Sequence, residues 1–128
     1  MAICEYVDTG NMKSFIKVMK ALSDPNRVRV LKLLKGKELC VCEIQAVLNL
    51  AQSTVSKHMK LLEDAGLVDR SRQGTWILYC LADGSSSVYA QTMLLEIQHW
   101  LDDDQELNKM YAALPDARVM RSCSEKKE

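Results

Sequence analysis

The feature that most constrains this chain is a change of period. In "AQSTVSKHMKLLEDAGLV" apolar residues recur at helical spacing, with Val55, Met59 and Leu62 at i, i+4 and i+7, and the pattern stops at Gly66. The next residues lean at once to β structure. "LVDRSRQGTWILYCLA" holds two strand-like stretches around "SRQG", where Gly74 permits the positive φ that a hairpin loop often needs. Just upstream, "CEIQAVLNL" reads as a short helix with Ile44, Val47 and Leu48 on one face, closing at Asn49, a residue that tolerates the left-handed conformation of a helix end. A short helix, a tight turn, a longer helix with a polar outer face and then a hairpin is the layout of a winged helix-turn-helix. The expected fold class is therefore mainly α with a small β-hairpin.

The flanking segments supply the rest of the domain. Met12, Phe15, Ile16, Met19 and Leu22, then Val28, Leu31 and Leu34, space two amphipathic helices separated by "SDPN", in which Asp24 is a cap and Pro25 the first helical residue. Gly36 marks the second stop. From about Ser85 the helical pattern returns through Val88, Thr92 and Leu95 to Ile97, Trp100 and Leu101, with a further turn at Leu107, Tyr111 and Leu114 before Pro115. The expected organisation is an N-terminal arm over 1–10, a winged helix-turn-helix DNA-binding and dimerisation domain over 11–114, and a mobile tail over 115–128. At 128 residues one domain is the expectation, and with no long apolar run or signal pattern the expected location is cytoplasmic, without a membrane partner.

Formal net charge is zero, but the charges are not evenly spread: residues 11–76 hold twelve Lys/Arg against six Asp/Glu, and residues 77–128 hold five against nine. One part can face phosphate while the other turns away. With Val55, Met59 and Leu62 turned inward, Gln52, Ser53, Thr54, Ser56, Lys57 and Lys60 are left for DNA, and Ser53 is the expected N-cap. Glutamine can read adenine, hydroxyls reach bases or phosphates, and lysines neutralise phosphate. Arg70 and Arg72, with Gln73, are placed at the hairpin tip, in reach of a minor groove or the backbone. His58 flanks the inward stripe and reads as a half-buried structural residue. One such motif covers only a half-site, so a homodimer on double-stranded operator DNA is expected, joined through the N-terminal helix and the helix bearing Leu95, Trp100 and Leu101.

Five cysteines, an odd number and unlike a secreted disulfide framework, point to free thiols, metal ligands or redox groups. Two of them, Cys40 and Cys42, sit in "ELCVCE" at the start of the motif's first helix. On a regular helix residues i and i+2 point apart, so the two sulfurs can meet one atom only where the backbone is extended or distorted. Neither His58 nor His99 stands in a pattern that marks a catalytic site, and no enzyme is expected.

The order "LSDPNRVRVLKLL", "ELCVCE", "STVSKHMKLLEDAGLV", "RSRQGTWILYCL" resembles the ArsR/SmtB family of winged-helix metalloregulatory repressors over roughly Asn11 to Leu101, and its arsenic-responsive members in particular. The resemblance implies a homodimeric repressor that leaves its operator when As(III) or Sb(III) binds Cys40 and Cys42. Soft thiolates suit those ions, and also Cd, Pb and Zn, better than hard cations. Arsenic sensors of this type can carry a further cysteine three residues after the second, where this chain has Gln45. A third sulfur then falls to Cys4, which the family's cadmium and lead sensors favour, to Cys123, or to a small exogenous thiol; Cys80 reads as packing. The paired His/Asp zinc ligands of the family's C-terminal helix are absent around His99. A thiol-based redox or persulfide sensor of the same fold, or a Cd/Pb/Zn sensor, is the alternative.

Overall fold

The computed structural model describes residues 10–114. Helix α1 (Met12–Ala21) starts at Asn11, whose side chain accepts from the Ser14 amide at 2.8 Å. Helix α2 (Pro25–Leu33) starts where the sequence pattern puts it, with Asp24 accepting from the Asn26 and Arg27 amides and Pro25 in the first turn, where its missing N–H leaves no bond unmade. A two-residue strand β1 (Leu39–Cys40) leads into α3 (Val41–Leu48), which Asn49 closes in the left-handed region at φ 55°, ψ 47°. Then come α4 (Gln52–Asp64), strands β2 (Val68–Gln73) and β3 (Trp76–Leu81), helix α5 (Val88–Ile97) and a last helix α6 over 105–114.

The winged helix-turn-helix is thus present, with one addition. Strands β2 and β3 pair antiparallel around a two-residue loop, Gln73 opposite Trp76, with Gly74 at φ 61°. Strand β1 joins the other edge of β3, Leu39 opposite Tyr79 and Cys40 opposite Leu78, so the sheet has three strands in the order β1-β3-β2. Two residues carry no legible period, which is why this strand escapes a pattern argument. Its consequence is positional: Cys40 stands in register with Leu78 of the wing.

One core runs through the molecule. Val30, Leu31, Leu33 and Leu34 within and just after α2 pack with Ile44, with Val55, Met59 and Leu62 of α4, and with Leu67, Ala90, Ile97 and Leu107. Val55, Met59 and Leu62 are fully buried, each stabilising the fold by roughly 1.5–3 kcal/mol relative to exposure. This fixes which face of α4 looks outward.

Two helical faces differ from expectation. In α1 the buried residues are Val18 and Ala21, whereas Met12, Phe15 and Ile16 are exposed. In α5 the inward frame is Ala90, Leu94 and Ile97, so Thr92 and Leu95 turn outward. Nor does the C-terminal helix run on through Trp100: α5 ends at Ile97, Leu101 takes φ 64°, and Asp104 caps α6 by accepting from the Leu107 amide at 2.9 Å. Lys32 holds this break. It is 3% exposed and its ammonium donates to the carbonyls of Ile97 and Trp100 and to Asp102. Those carbonyls, at the end of α5 and in the turn after it, take a cation from another helix, a tertiary solution that local spacing does not reveal. No described helix is long and apolar enough to cross a membrane.

Candidate nucleic-acid interface and thiol site

The outward face of α4 carries Gln52, Ser53, Thr54, Ser56, Lys57 and Lys60, all exposed. Ser53 does not cap the helix. Ala51 is the N-cap, with no side-chain bond, and Ser53 is the second helical residue. The absence of a capping side chain leaves first-turn amide N–H groups directed out of the helix end, where a phosphate oxygen can accept from them. Lys60 lies 3.6 Å from Asp64 one turn on, a solvent-exposed pair that holds it weakly. Lys57 makes no ion pair among the described residues. Beside Lys57 lies Leu61, about half exposed, an apolar side chain on the same outward stripe as Thr54 and Lys57 that helical spacing alone did not single out.

His58 is half-buried as expected, and its partner is now visible. Arg27 donates to His58 Nδ1 at 2.9 Å while also bonding the carbonyls of Ala21 and Lys20. A guanidinium has no acceptor, so His58 Nδ1 accepts and the ring proton sits on Nε2. The arginine thereby ties the end of α1 and the start of α2 to the flank of α4.

In the wing, Arg72 stands next to the tip, its Nε 3.3 Å from the Gly74 carbonyl. Arg70 does not: it lies mid-strand opposite Tyr79, 3.7 Å from Glu63 near the end of α4. The tip position expected for it is corrected by register, since each residue of β2 advances about 3.4 Å.

Cys40 is the N-cap of α3 at φ −83°, ψ 164°, and Cys42 is in the first turn. Cys40 is extended while Val41 is already helical, so the Cys40 side chain leaves the helical frame; the two Cα atoms are 5.4 Å apart and the sulfurs are paired as a disulfide. Of the two ways for these thiols to meet, extension at the helix start is the one realised. Glu43, fully buried, holds that start by accepting from the Cys40 amide at 2.8 Å. Beside the pair opens a cleft of about 270 Å³ lined by Cys40, Val41, Cys42, Gln45, Gln52, Thr75, Trp76 and Ile77. It joins three elements: α3, the first residue of α4, and the wing. Sequence spacing found the cysteines; it gave no sign of Trp76, which only the hairpin register brings alongside.

Cys80 is a separate case. It faces Asp69 across the ladder, and burial first, then Asp69 and Glu38, push its thiol pKa up, so it keeps its proton. Cys4 and Cys123 lie outside the described residues. Among the described residues no group of three or more His, Cys, Asp or Glu is arranged to hold a metal ion. The described donor set for a soft ion is the Cys40–Cys42 pair.

Residues 24–70 match the family described as bacterial regulatory protein, arsR family. The chain is 35% identical over 91 residues, 68% of its length and 79% of the relative's, to the arsenic resistance transcriptional regulator ArsR2 of Pseudomonas putida. The chain belongs to the ArsR family. This ArsR-family protein is also 40% identical over 52% of its length to an uncharacterised HTH-type transcriptional regulator of Methanocaldococcus jannaschii, covering 76% of it. A cadmium resistance regulatory protein CadC homologue of Staphylococcus aureus is 35% identical, with 57% of this chain and 61% of that protein aligned. Among solved structures, the homodimeric winged helix-turn-helix domain Mb0332 of Mycobacterium bovis superposes with a TM-score of 0.55 at 26% identity, over 69% of this chain and 82% of that one. Fold and family are those of DNA-binding transcriptional regulators, which are not enzymes.

Proposed function

We propose that this ArsR-family regulator is a homodimeric, cytoplasmic repressor of double-stranded operator DNA, released when As(III) or Sb(III) binds the thiolates of Cys40 and Cys42. The observation that carries this reading is the placement of two adjacent sulfurs in a cleft that also borders Gln52, the first residue of the recognition helix. Gln52, Ser53, Thr54, Ser56, Lys57 and Lys60 enter the major groove, Leu61 adds an apolar contact of the kind that meets a thymine methyl, and Arg72 with Arg70 approaches the flanking backbone. An ion in the cleft acts on both the helix entry and the wing. It shifts the equilibrium only through tighter binding to the DNA-incompetent arrangement, and couplings of about 1–3 kcal/mol weaken operator binding roughly 5- to 150-fold. Inorganic As(III) takes a third sulfur, for which Cys4 is the first choice and Cys123 or a small thiol the others.

Exposed apolar faces support the dimer: Met12, Phe15 and Ile16 on α1, and Leu95, Trp100 and Leu101 at α5 and its end. The homodimeric state named for the Mycobacterium bovis domain supports the same reading.

The contact between the two sulfurs favours one second reading, in which oxidation of the pair is itself the signal. A titration under a phosphine reductant separates the two. Arsenite or antimonite should release the DNA upstream of the repressor's own gene from reduced wild type, and should leave the Cys40→Ser, Cys42→Ser variant bound. Release by peroxide or persulfide alone, added after the phosphine is removed, would point to redox sensing, and release by Cd(II) alone to a cadmium sensor.

A further inference from the structure

The Arg27 guanidinium joins two other helices to its own. Its Nε donates to the carbonyl of Ala21, the last residue of α1, at 2.8 Å. One terminal nitrogen donates to the Lys20 carbonyl at 3.1 Å, and the other donates to His58 Nδ1 in α4 at 2.9 Å. Both side chains of this last contact are half-buried, and His58 stands at the middle of α4, one position on from Lys57. Apolar packing within the shared core is non-directional and lets one helix slide or turn on another. A planar guanidinium instead holds its acceptors in one plane and at fixed spacing. The fork thereby pins the angle between α1 and α4.

That angle matters because of where the two helices stand. Helix α1 exposes Met12, Phe15 and Ile16, the face given above to the partner copy, and α4 carries the residues given to the major groove. In a two-fold dimer the separation and tilt of the two recognition helices must match the distance between half-sites, one helical turn or about 34–36 Å. One added base pair moves a half-site by about 3.4 Å and turns it by roughly 35°. We propose that Arg27 and His58 are positioning residues that set the half-site spacing this repressor accepts, by fixing the recognition helix against the dimer helix. This rests on the dimeric reading above. Neither side chain is asked to touch DNA. Their loss costs discrimination between spacings rather than attraction, because the lysines and groove residues keep their places along α4.

The test uses the full chain, reduced with a phosphine, and fluorescent DNA carrying the segment it protects upstream of its own gene, with one base pair added or removed at the centre of that segment. Wild type should bind the native spacing at least about tenfold more tightly than either altered one. His58→Leu removes the acceptor, and Arg27→Lys keeps the charge but loses the fork. Each should cut that ratio to about threefold or less, while binding to unrelated DNA changes by less than about twofold. His58→Asn should restore the ratio, since its Oδ1 accepts from the same place along the side chain as Nδ1. Should the leucine variant fail to fold, Arg27→Lys carries the reading. An unchanged ratio in a folded His58→Leu or Arg27→Lys variant, or an asparagine variant no better than leucine, overturns the proposal and leaves the dimer standing. Wild type indifferent to spacing overturns the proposal and the dimeric reading together.

Discussion

Lys32 has an ammonium group that is nearly excluded from water, yet its partners are two backbone carbonyls and the exposed Asp102. Replacing it with methionine keeps the packing of the stem and takes the donor from the Trp100 carbonyl, which costs about 1–3 kcal/mol, while the Ile97 carbonyl keeps its bond from the Trp100 amide. Thermal melting of Lys32→Met should show a clear drop, and Asp102→Asn a smaller one, because that carboxylate is exposed and screened. A related expectation concerns acid. Hydrogen bonding and charge from Lys32 lower the Asp102 pKa, and Arg29 with the Leu107 amide lower that of Asp104. A folded pKa below the unfolded one means stability that is fully present above the ordinary carboxylate range near 4 and lost as pH falls through the lowered value. Melts between pH 5 and pH 3 should therefore lose stability more steeply in wild type than in Asp104→Asn. The sequence showed Lys32 only as a polar position in a helix. Its role depends on residues some seventy positions away, and no local pattern encodes that.

At the level of elements, the turn between α3 and α4 and the helix head after it are opposites. Asn49 adopts a left-handed backbone, where a Cβ-bearing residue without a local polar side chain pays about 1–2 kcal/mol. Asn49→Ala should lower the midpoint of chemical denaturation, and Asn49→Gly should lower it less or not at all. Ala51, in contrast, leaves the α4 start uncapped. Ala51→Asp should raise stability by about 0.5–1 kcal/mol through a capping bond and, on the proposed reading, weaken operator binding by setting a carboxylate where a phosphate belongs; anisotropy and melting on the same preparation measure the two signs. The helix-turn-helix and hairpin were legible because Val55, Met59 and Leu62 and the break at Gly66 are local signals. Strand β1, the uncapped head at Ala51 and the interruption at Leu101 were not. The strand is too short for periodicity, the helix head offers Ser53 as a better capping residue than Ala51, and the interruption is imposed by Lys32 from another helix.

At the scale of the whole molecule, the described apolar residues left outside the core lie mainly on α1 and around the end of α5, and Leu95 is the most exposed of those at α5. On the proposed dimer, Leu95→Glu should shift sedimentation from dimer to monomer and weaken operator binding, with little change in the melting of the folded unit, since that side chain contributes no core packing. A melt that collapses with the dimer would mean folding and association are one step. The shared cleft has a longer-range meaning. The side chains that would read bases stand along the outer stripe of α4, whereas those that would choose an effector, Trp76 and Ile77, belong to the wing, and Gln52 alone serves in both sets. Taste for a new toxicant can then drift by substitutions in β3 while the genomic address stays fixed, and Gln52 is the single hinge of descent at which one change would retune both.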